Sequence, residues 1–397
     1  MPDTTSTVHP TNQDFDIAIC GAGPVGQALA LQLRRQGYAA NRIALFDAKT
    51  REQAEQDARS IALSYGSQQI LQSAGVWPIK ATAIREIHVS RRGHFGRSLM
   101  QASDYGLPAL GYVARYGDII RPMQAALEQS GILIQRPCTV SSVDESTDQV
   151  SLTLTQADGK VSKISAGIVV QAEGGSFLDQ GEKSQHHNYQ QTAIIAHVTC
   201  DQAIAGRAFE RFTDQGPLAL LPQEDGYALV WCVRPELAVS LLALDDGAFR
   251  QALQQAFGHR LGNFIKASAR LSYPLGLNAH SHATARIVSI GNAAQTLHPV
   301  AGQGLNLGLR DAFILARQLL RLPSHDGDPA PALQAYIAER QPDRKLTIRI
   351  TDSMARVFAS APDGSLSQGL LGFGLGMLDV SKTAKKLLAE QMMFGWR

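Results

Sequence analysis

The chain has 397 residues, of which 44% are hydrophobic and 18% charged, so it buries a sizeable core and shows no bias toward disorder. Lys and Arg number 37 against 35 Asp and Glu, a formal net charge of +2, which argues against an extended phosphate-neutralising surface and excludes nucleic acid as a partner. Cys20, Cys138, Cys200 and Cys232 form no C-x-x-C pair, so they read as buried thiols in a reducing compartment rather than as a zinc site or a disulfide framework.

In chain order, residues 1–14 are polar, with neither a basic n-region nor an apolar h-region, and read as a frayed tail rather than a secretory signal. No uninterrupted apolar stretch reaches the ~18 residues that span a bilayer, so the chain reads as cytoplasmic, soluble or peripheral to the inner membrane. Residues 15–20 predict a short buried strand. Residues 27–36 predict a helix carrying Ala28, Leu29, Leu31 and Leu33 that Gly37 ends, and residues 42–46 a second strand. That is a βαβ unit, in which parallel strands need a crossover helix.

Alternation over residues 150–154 and an apolar run over 166–172 predict further strands. Short apolar runs at 192–198, 218–221 and 228–233, punctuated by turns such as Glu224-Asp225-Gly226, predict an antiparallel sheet carrying a substrate pocket. Residues 286–290 read as another buried strand, followed by a glycine-rich loop and a helix over 305–320. Beyond it the chain is mostly helical, with breaks near 323–331 and 362–376. Dinucleotide-type elements therefore sit early, in the middle and late, which one domain built from three chain segments explains better than three domains.

The first chemical motif is Gly21-Ala22-Gly23-Pro24-Val25-Gly26, directly after a strand and opening a helix. Such glycines permit a tight turn and let backbone approach a pyrophosphate, while the helix N-terminus offers free N–H groups and a positive dipole. Asp47 follows at the end of the second strand, where an acid can bond ribose hydroxyls. This fingerprint fits NAD as well as FAD. The discrimination comes from the run Gly291-Asn292-Ala293-Ala294-Gln295-Thr296-Leu297-His298-Pro299, followed by Gly302-Gln303-Gly304-Leu305-Asn306 and by Asp311. A second glycine loop feeding a helix N-terminus makes an anion-favouring pocket suited to the electron-rich edge of a reduced flavin.

That run resembles the G-D-A-A-H-x-x-x-P-x-x-G-Q-G-x-N motif of the flavoprotein monooxygenases related to p-hydroxybenzoate hydroxylase. The G-N-A-A-Q-T-L-H-P variant is similar to the branch acting in ubiquinone biosynthesis on 2-octaprenyl-6-methoxyphenol. The segments around Glu210, Gly216, Trp231 and Tyr273 point the same way, so the resemblance runs from about residue 14 to 320. It implies an α/β fold: a Rossmann-like FAD domain (residues 14–75, 103–182 and 285–345), interleaved with a mostly antiparallel substrate sheet (76–102 and 183–284) and followed by a helical C-terminal region (346–397).

It also implies that Gly291 and Asn292 face the ribityl chain, that Pro299 lies near the reactive flavin carbon, that Gly302 to Asn306 hold the ring and that Arg59 lies against the FAD. Asn292 stands where the family has Asp, Gln295 where it has His, and Glu173 where the A-D-G-x-x-S motif has Asp. Asparagine still accepts from a hydroxyl but brings no charge.

The implied reaction is aromatic hydroxylation of a polyprenylated methoxyphenol to the 1,4-benzoquinol, with NAD(P)H as electron donor and O₂ adding at the flavin to give a hydroperoxide. Three other readings stay open: a sister ring hydroxylase of the same pathway, a dehydrogenase without oxygen chemistry, and a non-catalytic flavoprotein assembly subunit. His298 is a tempting base for the phenol, set against a structural loop histidine, and no other catalytic residue is assigned.

His88, His94, His186, His187, His197, His259, His280, His282, His298 and His325 show no metal-ligand grouping with acids, so no metal is expected. Because a polyprenyl chain partitions into lipid, peripheral membrane contact or a multiprotein ubiquinone-biosynthesis complex is expected. Residues 381–397 read as a basic amphipathic helix, capped by Ser381, with Ala384, Leu388 and Met392 at helical spacing and Lys382, Lys385 and Lys386 adding charge. Phe394 and Trp396 would anchor it at an interface, with residues 369–376 as a second contact. Packing of this helix on the enzyme's own body is the competing expectation.

Overall fold

The computed structural model describes residues 14–57, 59–92, 97–174, 185–279, 283–299, 302–322, 327–360 and 382–395. Strand β1 (Phe15–Cys20) is buried on both faces, as a central parallel strand requires. Helix α1 (Pro24–Arg35) opens three residues before the predicted start, because Pro24 fits the first turn, where a missing N–H is no loss. Strand β2 (Ile43–Phe46) returns parallel to β1, and Arg42 belongs to the 3₁₀ turn Ala40–Arg42 rather than to the strand.

The chain continues through α2 (Arg51–Glu55), β3 (Ser60–Ser64), α3 (Tyr65–Ser73), β4 (Thr82–Ile84), β5 (Glu86–Arg91), β6 (Arg97–Gln101), β7 (Gly111–Arg115) and α4 (Tyr116–Ser130). Four strands follow: β8 (Leu133–Gln135), β9 (Cys138–Glu145), β10 (Val150–Gln156) and β11 (Val161–Gln171). Then come β12 (Gln185–Cys200), β13 (Arg207–Phe212), β14 (Pro217–Gln223), β15 (Gly226–Val233), α5 (Pro235–Ala243) and α6 (Asp246–Phe257). The last part holds β16 (Phe264–Ala267), β17 (Leu271–Ala279), β18 (Ile287–Ser289), β19 (Gln295–Thr296), α7 (Gln303–Leu319), α8 (Ala330–Ser360) and a C-terminal helix (Lys382–Phe394).

The first sheet has the order β8-β2-β1-β11-β10-β9, with β18 on β11, so strands from three separate chain segments share one layer. Its core lies under α1 and α7, where Leu29, Leu33, Leu309 and Leu315 are fully buried. The second sheet, β19-β17-β12-β15-β14-β13-β5-β6, is antiparallel except where β13 runs parallel to β5. One of its faces is covered by α5 and α6 through Phe249, Leu253 and Phe257. The sequence reading missed these two helices. The other face turns toward a small sheet, β3-β7-β4, against which Ala208 packs on Ile84 and Val113. Residues 82–84 thus pair with β7, so the expected substrate segment 76–102 divides between two sheets.

All four cysteines are buried and free. Helix α8 runs unbroken through residue 346, so the expected start of the C-terminal region marks no break in structure. The C-terminal helix docks on the body of the protein: Ala389 and Met393 are buried with Ala102 and Leu110. Phe394 meets Tyr65 edge to face, with ring centroids 6.1 Å apart. Phe394 is therefore not a free interfacial anchor, because its ring is already packed. Ser381, Trp396 and residues 369–376 lie outside the described residues.

Candidate functional site

The first glycine loop links β1 to α1. Gly23 is the N-cap with no side-chain cap bond, so the first amides of a 12-residue helix face outward from the loop. At Gly26 only glycine fits, since an added Cβ would lie 2.0 Å from the Gly21 carbonyl oxygen. At Gly23 the nearest atom is the Tyr116 hydroxyl at 3.3 Å, a tight contact but with the tip of a side chain rather than with backbone, so this is the least obstructed glycine of the three. Asp47 Oδ2 accepts from the Ala22 N–H at 2.7 Å and Oδ1 from the Lys49 N–H at 2.8 Å, which ties the end of β2 to the loop.

Two polar groups that the sequence reading missed also converge here. Arg136 donates through Nη2 to the Ala22 carbonyl at 3.1 Å, yet its Nε and Nη1 are buried without a partner. Gln27 donates to the same carbonyl at 2.7 Å, and its Oε1 is likewise buried and unmatched. Buried orphaned donors are rare in finished proteins and mark a place for a polar ligand. Arg136 belongs to no short motif; the available signal was a basic residue just past a sheet strand. Arg59 is not on a helix face: it pairs with Asp57 at 2.7 Å and its guanidinium sits 5.2 Å from the centre of the Tyr116 ring. Burial and the charge of Asp47 both push the Glu173 carboxyl up.

The second glycine loop lies directly against the first. Added Cβ atoms at Gly291 and Gly308 would stand 3.2 Å and 2.6 Å from methyl groups of Val25, so that one side chain locks the two motifs together. Asn292 faces Gly174 from across the turn. The Gly291 N–H and the Gln295 side chain both donate to Asp311 Oδ2, at 3.1 and 3.0 Å. Gly302 takes a left-handed φ of +60° and its N–H returns to the Pro299 carbonyl at 2.9 Å.

Asn306 is a latch. Its Oδ1 accepts from the Ser64 N–H and the Ser67 hydroxyl, at 2.8 and 2.7 Å, while Nδ2 donates to the carbonyls of Ala62 and Gly302 at 3.0 and 2.7 Å. With its amide fully committed, Asn306 shapes the loop rather than reaching out of it. Gln303 is buried and Leu305 packs on the core, whereas Gly304 looks into open space with nothing within 4 Å of an added Cβ.

Asp311 sits at the centre of a buried ion cluster. Arg340 and Arg344 reach it at 2.7 and 2.8 Å, and Asp343 takes Arg310 at 2.8 Å and Arg340 at 2.6 Å. Burial raises the Asp311 carboxyl, but Arg344 and Arg340 outweigh it and hold the group down at about 2.

His298 is 1% exposed, donates to Gln191 Oε1 at 3.0 Å and stands edge to face with Tyr189 at 5.1 Å. Burial pushes it down to about 3, so it is neutral at pH 7 and serves the packing of the loop. The fold does bring one histidine to acids, contrary to the sequence reading: His197, Glu224 and Asp225 have ligand atoms within 4.8 Å of one another. Glu224 is already held by Lys80 and Arg115, and Asp225 is exposed.

Residues 14–351 match the family described as FAD binding domain. The chain belongs to that family. The ubiquinone hydroxylase UbiL of Rhodospirillum rubrum is 33% identical over 399 residues, covering 95% of this chain and 89% of that protein. The 3-demethoxyubiquinol 3-hydroxylase of Escherichia coli is 30% identical, covering 84% and 87%. Among solved structures, p-nitrophenol 4-monooxygenase PnpA of Pseudomonas putida superposes with a TM-score of 0.76 at 16% identity, over 97% of this chain and 99% of that one. The α/β FAD-domain fold expected from the sequence is thereby borne out. Among the described residues no helix is long and apolar enough to cross a membrane.

Proposed function

We propose that this enzyme hydroxylates the ring of a polyprenylated methoxyphenol in ubiquinone biosynthesis, with FAD as resident cofactor, NAD(P)H as electron donor and O₂ as oxidant. The observation that carries the reading is the junction at Val25, which joins two glycine loops into one cradle, beside relatives named as ubiquinone hydroxylases. The orphaned donors of Arg136 and the side-chain-free backbone at Gly23 fit the phosphate and ribose end of FAD. The open space at Gly304 fits its ring.

In this reading Gly21, Ala22, Gly23, Pro24, Val25 and Gly26 hold the pyrophosphate, and Asp47, Arg59 and Arg136 the adenosine side. Gly291, Asn292, Pro299, Gly302, Gln303, Gly304 and Leu305 frame the ring, with Asn306 fixing the loop. FAD, when bound, supplies the two-electron reduction by NAD(P)H and the activation of O₂. The chain contributes orientation, a positive helix end and exclusion of water. In this reading the substrate lies against the face of the large sheet turned away from α5 and α6, and the division into a discontinuous cofactor domain and a sheet domain is a division of labour.

The test is isotopic: purified yellow protein supplied with NAD(P)H, a prenylated methoxyphenol and ¹⁸O₂ places one labelled oxygen on the ring. Colourless protein, or reduction without label in the product, refutes the reading. Quinone intermediates accumulating in a strain lacking the gene identify the ring carbon. Membrane or complex contact belongs to the same reading, because the prenyl chain partitions into lipid. The outer face of the C-terminal helix, where Leu387 is 64% exposed beside Lys386, is the place for it. Leu387→Asp lowers co-flotation with anionic vesicles without shifting the melt; unchanged flotation moves the contact elsewhere.

A further inference from the structure

Strand β13 alternates its side chains between two environments. Phe209 packs in the core under α6, and Arg211 donates to the Ala256 carbonyl at its C-terminal end. Ala208, Glu210 and Phe212 therefore point the other way. On that face Ala208 packs against Ile84 and Val113 of the small sheet. Ala219 of β14 is the cross-strand partner of Glu210, and Val230 of β15 is the partner of Ala219. Val230 belongs with Cys232, Tyr189 and Leu275 to the apolar cluster that reaches Leu297, next to His298 and Pro299. A carboxyl group thus stands on the sheet face that carries this apolar cluster, on the same side as Ala219 and Val230.

Glu210 has no ion pair and no hydrogen bond among the described residues, and its Oε1 is shut off from solvent. A half-buried acid with one oxygen shut off from water and unpartnered is costly, and such groups mark places where a ligand completes them. We infer that Glu210 is the base that takes the proton of the substrate's ring hydroxyl. The inference rests on the ring-hydroxylase reading above. The phenol O–H bond breaks and its electron pair stays on the ring oxygen. The proton joins the carboxylate and later leaves to water, so no oxidant or reductant enters this step. The phenolate ring carbon is thereby made more nucleophilic toward oxygen.

Burial pushes the Glu210 carboxyl up to about 7, which matches a base working at neutral pH. The groups around it leave that role to Glu210. Val89 of β5 and Ala219 of β14 flank it without charge, and the buried Arg91, next along β5 on the same face, lies opposite Phe212. Cys232 of β15, whose thiol burial and the Glu210 charge push well above its ordinary range, stays protonated. On the facing small sheet the ionisable side chains are Tyr112, pushed up by burial, and Arg115, which is committed to Glu224. His298 is neutral and bonded to Gln191.

The experiment uses the flavin-loaded full chain and Glu210→Gln. At pH 7 the variant keeps its flavin and its reduction by NAD(P)H but loses about 100-fold in phenol hydroxylation, the range of one general base. The loss shrinks as pH approaches the pKa of the phenol, and it shrinks across a series of increasingly fluorinated, more acidic phenols. Hydroxylation within threefold of wild type, or a loss that ignores both pH and phenol acidity, overturns the proposal. A second measurement needs no variant. Wild-type enzyme mixed with 4-nitrophenol one unit below the dye's own pKa shows a yellow phenolate difference band; binding of the dye in its colourless form overturns the proposal too. A wild-type enzyme that hydroxylates no phenol at any pH refutes the ring-hydroxylase reading itself, an outcome distinct from failure at Glu210 alone.

Discussion

Replacing Asp311 by asparagine keeps the shape of a fully buried side chain and removes its charge. Among the described residues three guanidiniums, Arg310, Arg340 and Arg344, face two carboxylates, Asp311 and Asp343, an excess of one positive charge. The substitution raises that excess to two, and it places an amide donor against Arg344 or against the Gly291 N–H. Breaking a buried pair by removing one partner costs roughly 3–5 kcal/mol. At ~2.1 cal/mol/K per residue, a chain of 397 residues loses roughly 4–6 °C of Tm for that penalty.

The damage also reaches the cofactor loop: with the amide nitrogen in the Oδ2 place Gly291 and Gln295 lose their acceptor, and with it in the Oδ1 place they keep only a neutral, weaker one. Flavin retention should fall with the melt. Differential scanning calorimetry with flavin content by absorbance checks both. A Tm within about 1 °C of wild type, with full flavin, would refute the claim that Asp311 anchors the second loop. The acid side has its own sign. The folded pKa of about 2 lies below the unfolded carboxylate value near 3.9, so this contribution is present above the unfolded pKa and is lost as pH falls through 2.

Three further substitutions probe the site. Gly23→Val crowds the first loop, where only the Tyr116 hydroxyl tip must give way in the apo protein, and should give colourless protein with an apo melt near wild type; variant protein that purifies with full flavin removes the pyrophosphate assignment. Gly304→Leu fills open space without a clash, so it should leave folding intact while slowing reduction by NAD(P)H at least tenfold; stopped-flow traces matching wild type at full flavin content would sink the ring-side assignment. His298→Gln tests the neutral histidine. Its folded pKa of about 3 lies below the unfolded 6.5, so the wild type loses stability as pH falls from 6.5 toward 3. The variant should show a slope shallower by up to about 1.4 kcal/mol per pH unit in that window, and equal slopes in urea titrations would place a charged histidine in the fold.

The parts of this protein that could be read from sequence are those whose physics is local. A strand, a glycine turn and a helix N-terminus occupy neighbouring residues, so the first motif announced itself, and so did the loop around Gly302. Groups that reach these loops from afar did not. Arg136 arrives from 114 residues away to bond Ala22, and Gln191 from 107 to bond His298. Helices α5 and α6 were legible in principle, with Asp245 capping α6 and Phe249, Leu253, Ala256 and Phe257 at helical spacing. They were missed because short apolar runs on both sides suggested an uninterrupted sheet. The tail was read for its pattern, but the pattern alone does not say which surface an apolar stripe meets.

The departures from the family motif gain a physical meaning from the same network. Gln295 looked like the loss of a functional histidine. Its side chain is instead a buried donor to Asp311, 3% exposed and far from needing charge. In a cluster with one excess positive charge, a protonated imidazole at that position would add to the imbalance, whereas a carboxamide supplies the hydrogen bond and stays neutral at every pH. The cofactor loop is therefore positioned by a residue that cannot titrate. The same logic separates two groups of the substrate sheet and its loop: His298 is held neutral by burial and bonded to Gln191, while half-buried Glu210 is left without a partner among the described residues at a pKa where it can change state. A loop histidine fixed in one state can orient but cannot accept a proton near neutral pH, and the acid on the substrate sheet can.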